Sequence, residues 1–150
     1  MSIWHAPLPD LAKLDALGTG SMPGHLGITF TGSGDDWLGA RMPIDERTVQ
    51  PWGRLHGGAS VALAETVASV GAMLTIDPKT SAAVGLEINA NHVRPASGGF
   101  VDAEARVEHI GRTTQIWSFR ITDAEERLVC IGRITIAVIP LADARPSARS

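Results

Sequence analysis

Apolar residues in this chain recur with a period of two, then of about three and a half, then of two again. The segment HLGITFTG sets Leu26, Ile28 and Phe30 on one side, and WLGARMPI does the same with Leu38, Ala40, Met42 and Ile44. This is the alternation of strands that bury one face. Between them Gly32, Ser33, Gly34 and Asp35 supply residues that tolerate turn geometry, so the pair predicts a hairpin. Past the loop DERTVQPWGR, Leu63, Val67, Val70 and Leu74 fall at helical intervals and mark one stripe of a long helix. Period two resumes over residues 84–94, closed by Pro95, over Phe100–Ile110, and through TTQIWSFRIT and RLVCIGRITIAVI. Val101, Ala103, Ala105 and Val107 alternate with Asp102, Glu104, Arg106 and Glu108, which predicts an antiparallel strand with one wet face. DAEE, from Asp123 to Glu126, predicts the following hairpin turn.

A short helix over Leu11–Leu17 precedes these elements. The last residues, PLADARPSARS, are polar, carry Pro146 and show no apolar period, so residues 141–150 are expected to be a disordered tail. The order predicts an α+β fold, one domain over residues 1–140, with an antiparallel sheet on one side of a single principal helix.

Composition agrees with one globular domain: the chain has 150 residues, 44% hydrophobic and 19% charged. A net charge of -3 gives no general electrostatic reason to bind nucleic acid. The single Cys130 excludes an intrachain disulfide and any multi-cysteine metal site, and points to a reducing cytoplasmic compartment. His5, His25, His56, His92 and His109 contain no HExxH or tight pair, so no metal is expected. MSIWHAPLPDLAK lacks the basic-then-apolar pattern of a signal peptide. Residues 55–76 are long enough to span a bilayer, but Gly, Ser, Thr, His and a central Glu favour a buried helix, and no membrane association is expected.

That central acid, Glu65, is the one formal charge between Arg54 and Asp77. An ionised carboxylate taken from water costs several kcal/mol unless something compensates it. One helical turn away stand Val61, Ala62, Ala68 and Ser69, mostly small, so something can approach the helix closely there; Ser69 can donate to the carboxylate. At the helix start, LHGG exposes amide N–H groups at the positive end of the dipole, suited to a carbonyl oxygen or an anion. Gly57 and Glu65 are eight residues apart, about 12 Å along the axis, so one helix cannot bring both to one carbonyl. Two antiparallel copies across a two-fold axis can, which predicts an active site shared across a dimer.

Taken singly, these residues also have plainer readings. Glu65 can be a structural acid paired with an arginine or a backbone N–H, and HGG can be a tight turn. His92 shares a strand face with Leu86, Ile88 and Ala90, as a core histidine would. Arg94 and Arg112 can be solvated charges, and Trp52 and Trp117 core or pocket-wall residues.

Three segments in order, QPWGRLHGGASVALAETVASVGA, VGLEINANHVRPA and HIGRTTQIWSF, closely resemble the hotdog-fold acyl-CoA thioesterases. The nearest branch is that of the 1,4-dihydroxy-2-naphthoyl-CoA hydrolases of menaquinone synthesis and the proofreading thioesterase of enterobactin synthesis. The likeness covers residues 4–139. It implies a curved antiparallel sheet around one long helix, homodimers with a continuous sheet, and pairing of dimers into a homotetramer. It implies hydrolysis of an aromatic acyl-CoA, with Glu65 as nucleophile or general base, the Gly57 N–H polarising the thioester oxygen, and His56 and Gln50 positioning the carbonyl or water. Ser69 and His92 would complete the acyl pocket. Gly85, Val93, Arg94, Pro95, His109, Ile110, Gly111, Arg112, Thr113 and Thr114 match the stretches that contact coenzyme A, which enters as part of the substrate with no separate cofactor; Arg94 or Arg112 can meet phosphate. Trp52 stands where the family carries Phe, and Pro95 where it carries a small polar residue.

Other chemistries fit less well. A serine-nucleophile route lacks G-x-S-x-G, and no strand-to-helix turn carries G-x-G-x-x-G. Two alternatives remain open: a hydratase or dehydratase of the same fold using His92 with Glu65, and a non-catalytic acyl-CoA binding module.

Overall fold

Among the described residues, six antiparallel strands form one sheet in the order β1-β2-β4-β5-β6-β3. The computed structural model describes residues 1–144. The strands are β1 (Thr29–Ser33), β2 (Trp37–Pro43), β3 (Ser81–His92), β4 (Phe100–Ile110), β5 (Thr114–Asp123) and β6 (Leu128–Pro140). The helices are α1 (Leu11–Leu17), α2 (Met22–His25), α3 (Gly57–Leu74) and the single turn α4 (Leu141–Ala144). This is the hotdog architecture, with α3 packed on the strands β2 to β6.

The buried stripe of α3 is wider than its large residues suggest. Leu63, Ala64, Val67, Ala68 and Ala72 are fully enclosed, while Val70 and Leu74 are half-buried. By length and mean hydropathy, 1.3, the helix would suit a bilayer, yet this stripe is spent on the sheet. The approach is close because Gly71 faces Trp117: a Cβ there would lie 2.8 Å from the indole. The Trp117 N–H donates to Gln115 Oε1 at 2.9 Å, and the Gln115 amide donates to Thr75 Oγ1 at 2.7 Å. Thr75 in turn donates to the Ala72 carbonyl. This chain of bonds ties the sheet to the C-terminal end of α3 and leaves no polar group of the buried Gln115 unpaired.

Most expected elements are present, with shifted ends. β4 and α1 have the predicted bounds, and β3 runs over Ser81–His92 instead of 84–94. The first strand starts later than the alternation implied: Leu26 closes α2, a helix that the apolar period does not reveal, and the chain turns at Gly27, φ 74°, before β1. The expected tail begins with the turn α4, and residues 145–150 of that prediction lie outside the described residues.

Candidate active site

The loop before α3 is fastened at several points. Thr48 Oγ1 donates to the Pro43 carbonyl, the His56 N–H donates to the Thr48 carbonyl at 2.8 Å, and the Leu55 N–H donates to the Ala96 carbonyl at 2.8 Å. Asp45 and Arg47 pair, and the guanidinium also donates to the His25 carbonyl, locking the loop to α2. Hydrogen bonds from the Arg47 guanidinium and N–H hold the Asp45 carboxyl below the usual carboxylate range.

His56 is the N-cap of α3, with φ -71° and ψ 133°. Its Nδ1 accepts from the Gly58 N–H at 2.8 Å, so the neutral ring carries its proton on Nε2. The Ala59 and Ser60 N–H groups donate to the His56 carbonyl. Gly57 alone among these first amides has no acceptor among the described residues. Gly57 lines a cavity of about 410 Å³ together with Gln50, Arg54, His92, Val93, Arg94 and Pro95.

Gln50 is held in a tight turn in which its N–H donates to the Arg54 carbonyl and its Oε1 accepts from the Trp52 N–H, leaving the amide NH₂ to the cavity. The His92 ring stands directly against the helix start: a Cβ on Gly57 would lie 2.9 Å from Nε2. His92 is exposed at the end of β3 and is therefore not a core histidine; it shares the face of Ile88 and Ala90 but stands beyond the core, against α3, and only Leu86 is turned off that face by the bulge between Gly85 and Glu87. Trp52 is also not a core residue, being 83% exposed, whereas Trp117 is fully buried.

Glu65 occupies a different cavity, about 530 Å³, between α2 and α3, with Met22, Pro23, Val61, Ala62, Ser69 and Val70 among its walls. Its carboxylate has no ion pair and no side-chain hydrogen bond among the described residues, so the structural ion-pair reading finds no partner. Ser69 lines the same space without the expected bond to the carboxylate. On β3, Gly85 makes room for the carboxylate: a Cβ there would lie 3.1 Å from Glu65 Oε1.

The stretches matched to coenzyme A contact are thus divided. Val93, Arg94 and Pro95 join Gly57; Gly85 joins Glu65; His109, Ile110, Gly111, Arg112, Thr113 and Thr114 form the exposed β4–β5 turn, closed by the Gly111 N–H donating to the Thr114 carbonyl at 2.8 Å. That turn belongs to the Gly85 end of the sheet, since Thr114 and Val84 both pair with Ala137 of β6. Sequence reasoning missed Met22, Pro23 and Arg54 as wall residues. For the first two a signal existed: Ser21 before a proline in the first turn is a helix start. No group of three metal-binding side chains occurs among the described residues.

Residues 53–130 match the model of the thioesterase superfamily. The chain is 47% identical over 137 residues to the 1,4-dihydroxy-2-naphthoyl-CoA hydrolase of Escherichia coli, a match covering 91% of this chain and 99% of that protein. A thioesterase of Pseudomonas aeruginosa, solved with a glutamine replaced by alanine, is similar with a TM-score of 0.90 and 45% identity, over 93% of this chain and 99% of that one. A thioesterase of Haemophilus influenzae gives a TM-score of 0.89 and 44% identity, over 93% and 96% of the two chains.

Proposed function

This chain belongs to the thioesterase superfamily and is a thioester hydrolase, and from that premise we propose that it cleaves an aromatic acyl-CoA of the hydroxybenzoyl or dihydroxynaphthoyl type at a site shared by two protomers. The hydrolase of Escherichia coli acts on a bicyclic aromatic acyl-CoA, which supports that substrate class.

One observation carries the shared site. Gly57 touches His92, Glu65 touches Gly85, and those two partners stand at opposite ends of the same stretch of β3. β3 is an edge strand whose outer side is unpaired among the described residues, with Val84 and Leu86 exposed on it. Such an edge is a template for a second strand. Antiparallel pairing of two β3 strands about a two-fold axis near Ile88 and Asn89 sets Gly85 of one protomer opposite the partner's His92. The Glu65 carboxylate of one chain then faces the Gly57 N–H of its twin.

In that arrangement Glu65 attacks the thioester carbon or takes a proton from the attacking water. The free Gly57 N–H stabilises the oxygen as it gains charge, and the Gln50 amide and His56 Nε2–H orient the carbonyl or the water. The C–S bond breaks, coenzyme A leaves as the thiol after protonation, and water supplies the oxygen of the product carboxylate. Arg94 from one side and Arg112 from the other meet the phosphates of the carrier, with Val93, Pro95 and the β4–β5 turn along its length. The enzyme needs no cofactor beyond the coenzyme A of its substrate, works in the cytoplasm, and assembles as a dimer of dimers.

The test is thiol release from a panel of aromatic and aliphatic acyl-CoAs by the wild type and Glu65→Ala. Turnover of aroyl-CoA by the wild type alone, with both proteins folded by circular dichroism, is the expected result. A Glu65→Ala enzyme as active as the wild type removes the acid from its role.

A further inference from the structure

We infer that Met22 sets the width of the acyl seat and so selects the acyl group. The inference rests on the reading of Glu65 as the reacting acid. The cavity that holds Glu65 is floored by Val61, Ala62 and Val70 of α3 and roofed by Met22 and Pro23 of α2. Besides Glu65 only Thr66 and Ser69 bring polar side chains to it, and the Thr66 hydroxyl is spent on the Ala62 carbonyl at 2.7 Å. An apolar chamber beginning at the reacting acid suits the apolar group attached to the thioester carbonyl.

The roof is rigid where it is anchored and adaptable where it meets the chamber. Gly24 is pressed on the backbone of Gly18, the Ile28 N–H donates to the Pro23 carbonyl at 3.0 Å, and Arg47 Nη1 holds the His25 carbonyl at 2.9 Å. These contacts fix α2 against the Gly18 turn, the chain leading into β1 and the loop that carries Gln50. Met22 itself is 61% exposed, an unbranched thioether at the open side of the chamber. Such a side chain moulds to ring systems of differing size, and its replacement changes the available width without touching Glu65.

The experiment compares thiol release from acetyl-, benzoyl- and naphthoyl-CoA by the wild type, Met22→Ala and Met22→Trp. The ratio of naphthoyl-CoA to acetyl-CoA kcat/KM is expected to fall about tenfold or more in Met22→Trp, the scale at which pocket width discriminates, with benzoyl-CoA between. In Met22→Ala the ratio moves the opposite way or stays level while KM for benzoyl-CoA rises. Equal scaling of all three substrates by Met22→Trp overturns the inference and leaves the thioesterase reading intact. So does a Met22→Trp protein that has lost its oligomeric state on size exclusion, since a second copy would then be what covers the chamber. A wild type that releases thiol from none of the three overturns the reading of Glu65, and the inference with it.

Discussion

Gly85 stands so close to Glu65 that a single added methyl group would come within 3.1 Å of the carboxylate oxygen. The β-bulge that follows, between Gly85 and Glu87, is the kind of irregularity that re-aims a strand beside a site. Gly85→Ala is therefore expected to displace the acid by a few tenths of an ångström. The kcat should fall about tenfold or more, because misplacement of a reacting group is costly, while KM and the melting temperature stay near wild type. Steady-state kinetics with a thermal melt checks this; a raised KM at unchanged kcat would assign Gly85 to substrate contact alone.

Gly57 permits a test of one N–H. Proline at the first helical position preserves the helix, and the extended backbone of His56 suits a following proline, so Gly57→Pro deletes the donor without unwinding α3. Its Cβ meets the His92 ring, an effect that Gly57→Ala shares while keeping the N–H. The kcat of the proline variant should lie about 10²–10³-fold below that of the alanine variant, the usual loss for one oxyanion donor. Equal rates in single-turnover assays would mean that the amide is idle.

The β5–β6 turn gives the fold a defined acid sensitivity. Asp123 is 6% exposed, and burial pushes its carboxyl up, but hydrogen bonds from the Arg127 N–H and guanidinium and from the Glu125 N–H outweigh this and hold it below the usual carboxylate range. The folded state favours the ionised form, so this contribution to stability is complete above the ordinary carboxylate pKa of 3.8 and is lost as pH falls through the depressed folded value. Melts of Asp123→Asn against wild type should differ most near neutral pH and converge in strong acid. A gap that widens on acidification would reverse the sign.

Gln115 is fully buried between the Trp117 N–H and Thr75 Oγ1. Gln115→Leu keeps much of the volume but strands the indole donor, at a cost of about 1–3 kcal/mol. Urea denaturation measures it. Because the same bonds hold the end of α3 and not its start, kcat on aroyl-CoA should change far less than stability.

Much of this fold is legible where side-chain period and burial coincide. β4 is the clearest case: its charged residues all face water, and Val101, Ala103 and Ala105 are enclosed. α2 escapes because four residues hold little more than one turn, too short for any period to show. The stripe of α3 was legible in direction but not in width, since alanines and Gly71 carry the closest packing and no hydrophobicity pattern marks them. Glu65 was conspicuous as an acid in an apolar helix, and the free Gly57 amide followed from the geometry of any helix start. The position of His92 did not: it keeps the inward face of Ile88 and Ala90, as the alternation implied, but lies where β3 runs past the core to the start of α3, while the bulge turns Leu86 off that face. The division of the site between two cavities is a tertiary fact, set by which helix residue each end of β3 touches.

The sharing of the site between protomers is tested most directly by mixing. Glu65→Ala and Gly57→Pro are each prepared as inactive proteins, combined in equal amounts, and allowed to exchange subunits, with hybrid formation verified by native mass spectrometry. A hybrid dimer contains one site with both groups intact and one with neither, so random exchange should restore about a quarter of wild-type thiol release. Verified hybrids that remain as inactive as their parents would contradict a site built from the acid of one chain and the amide of the other.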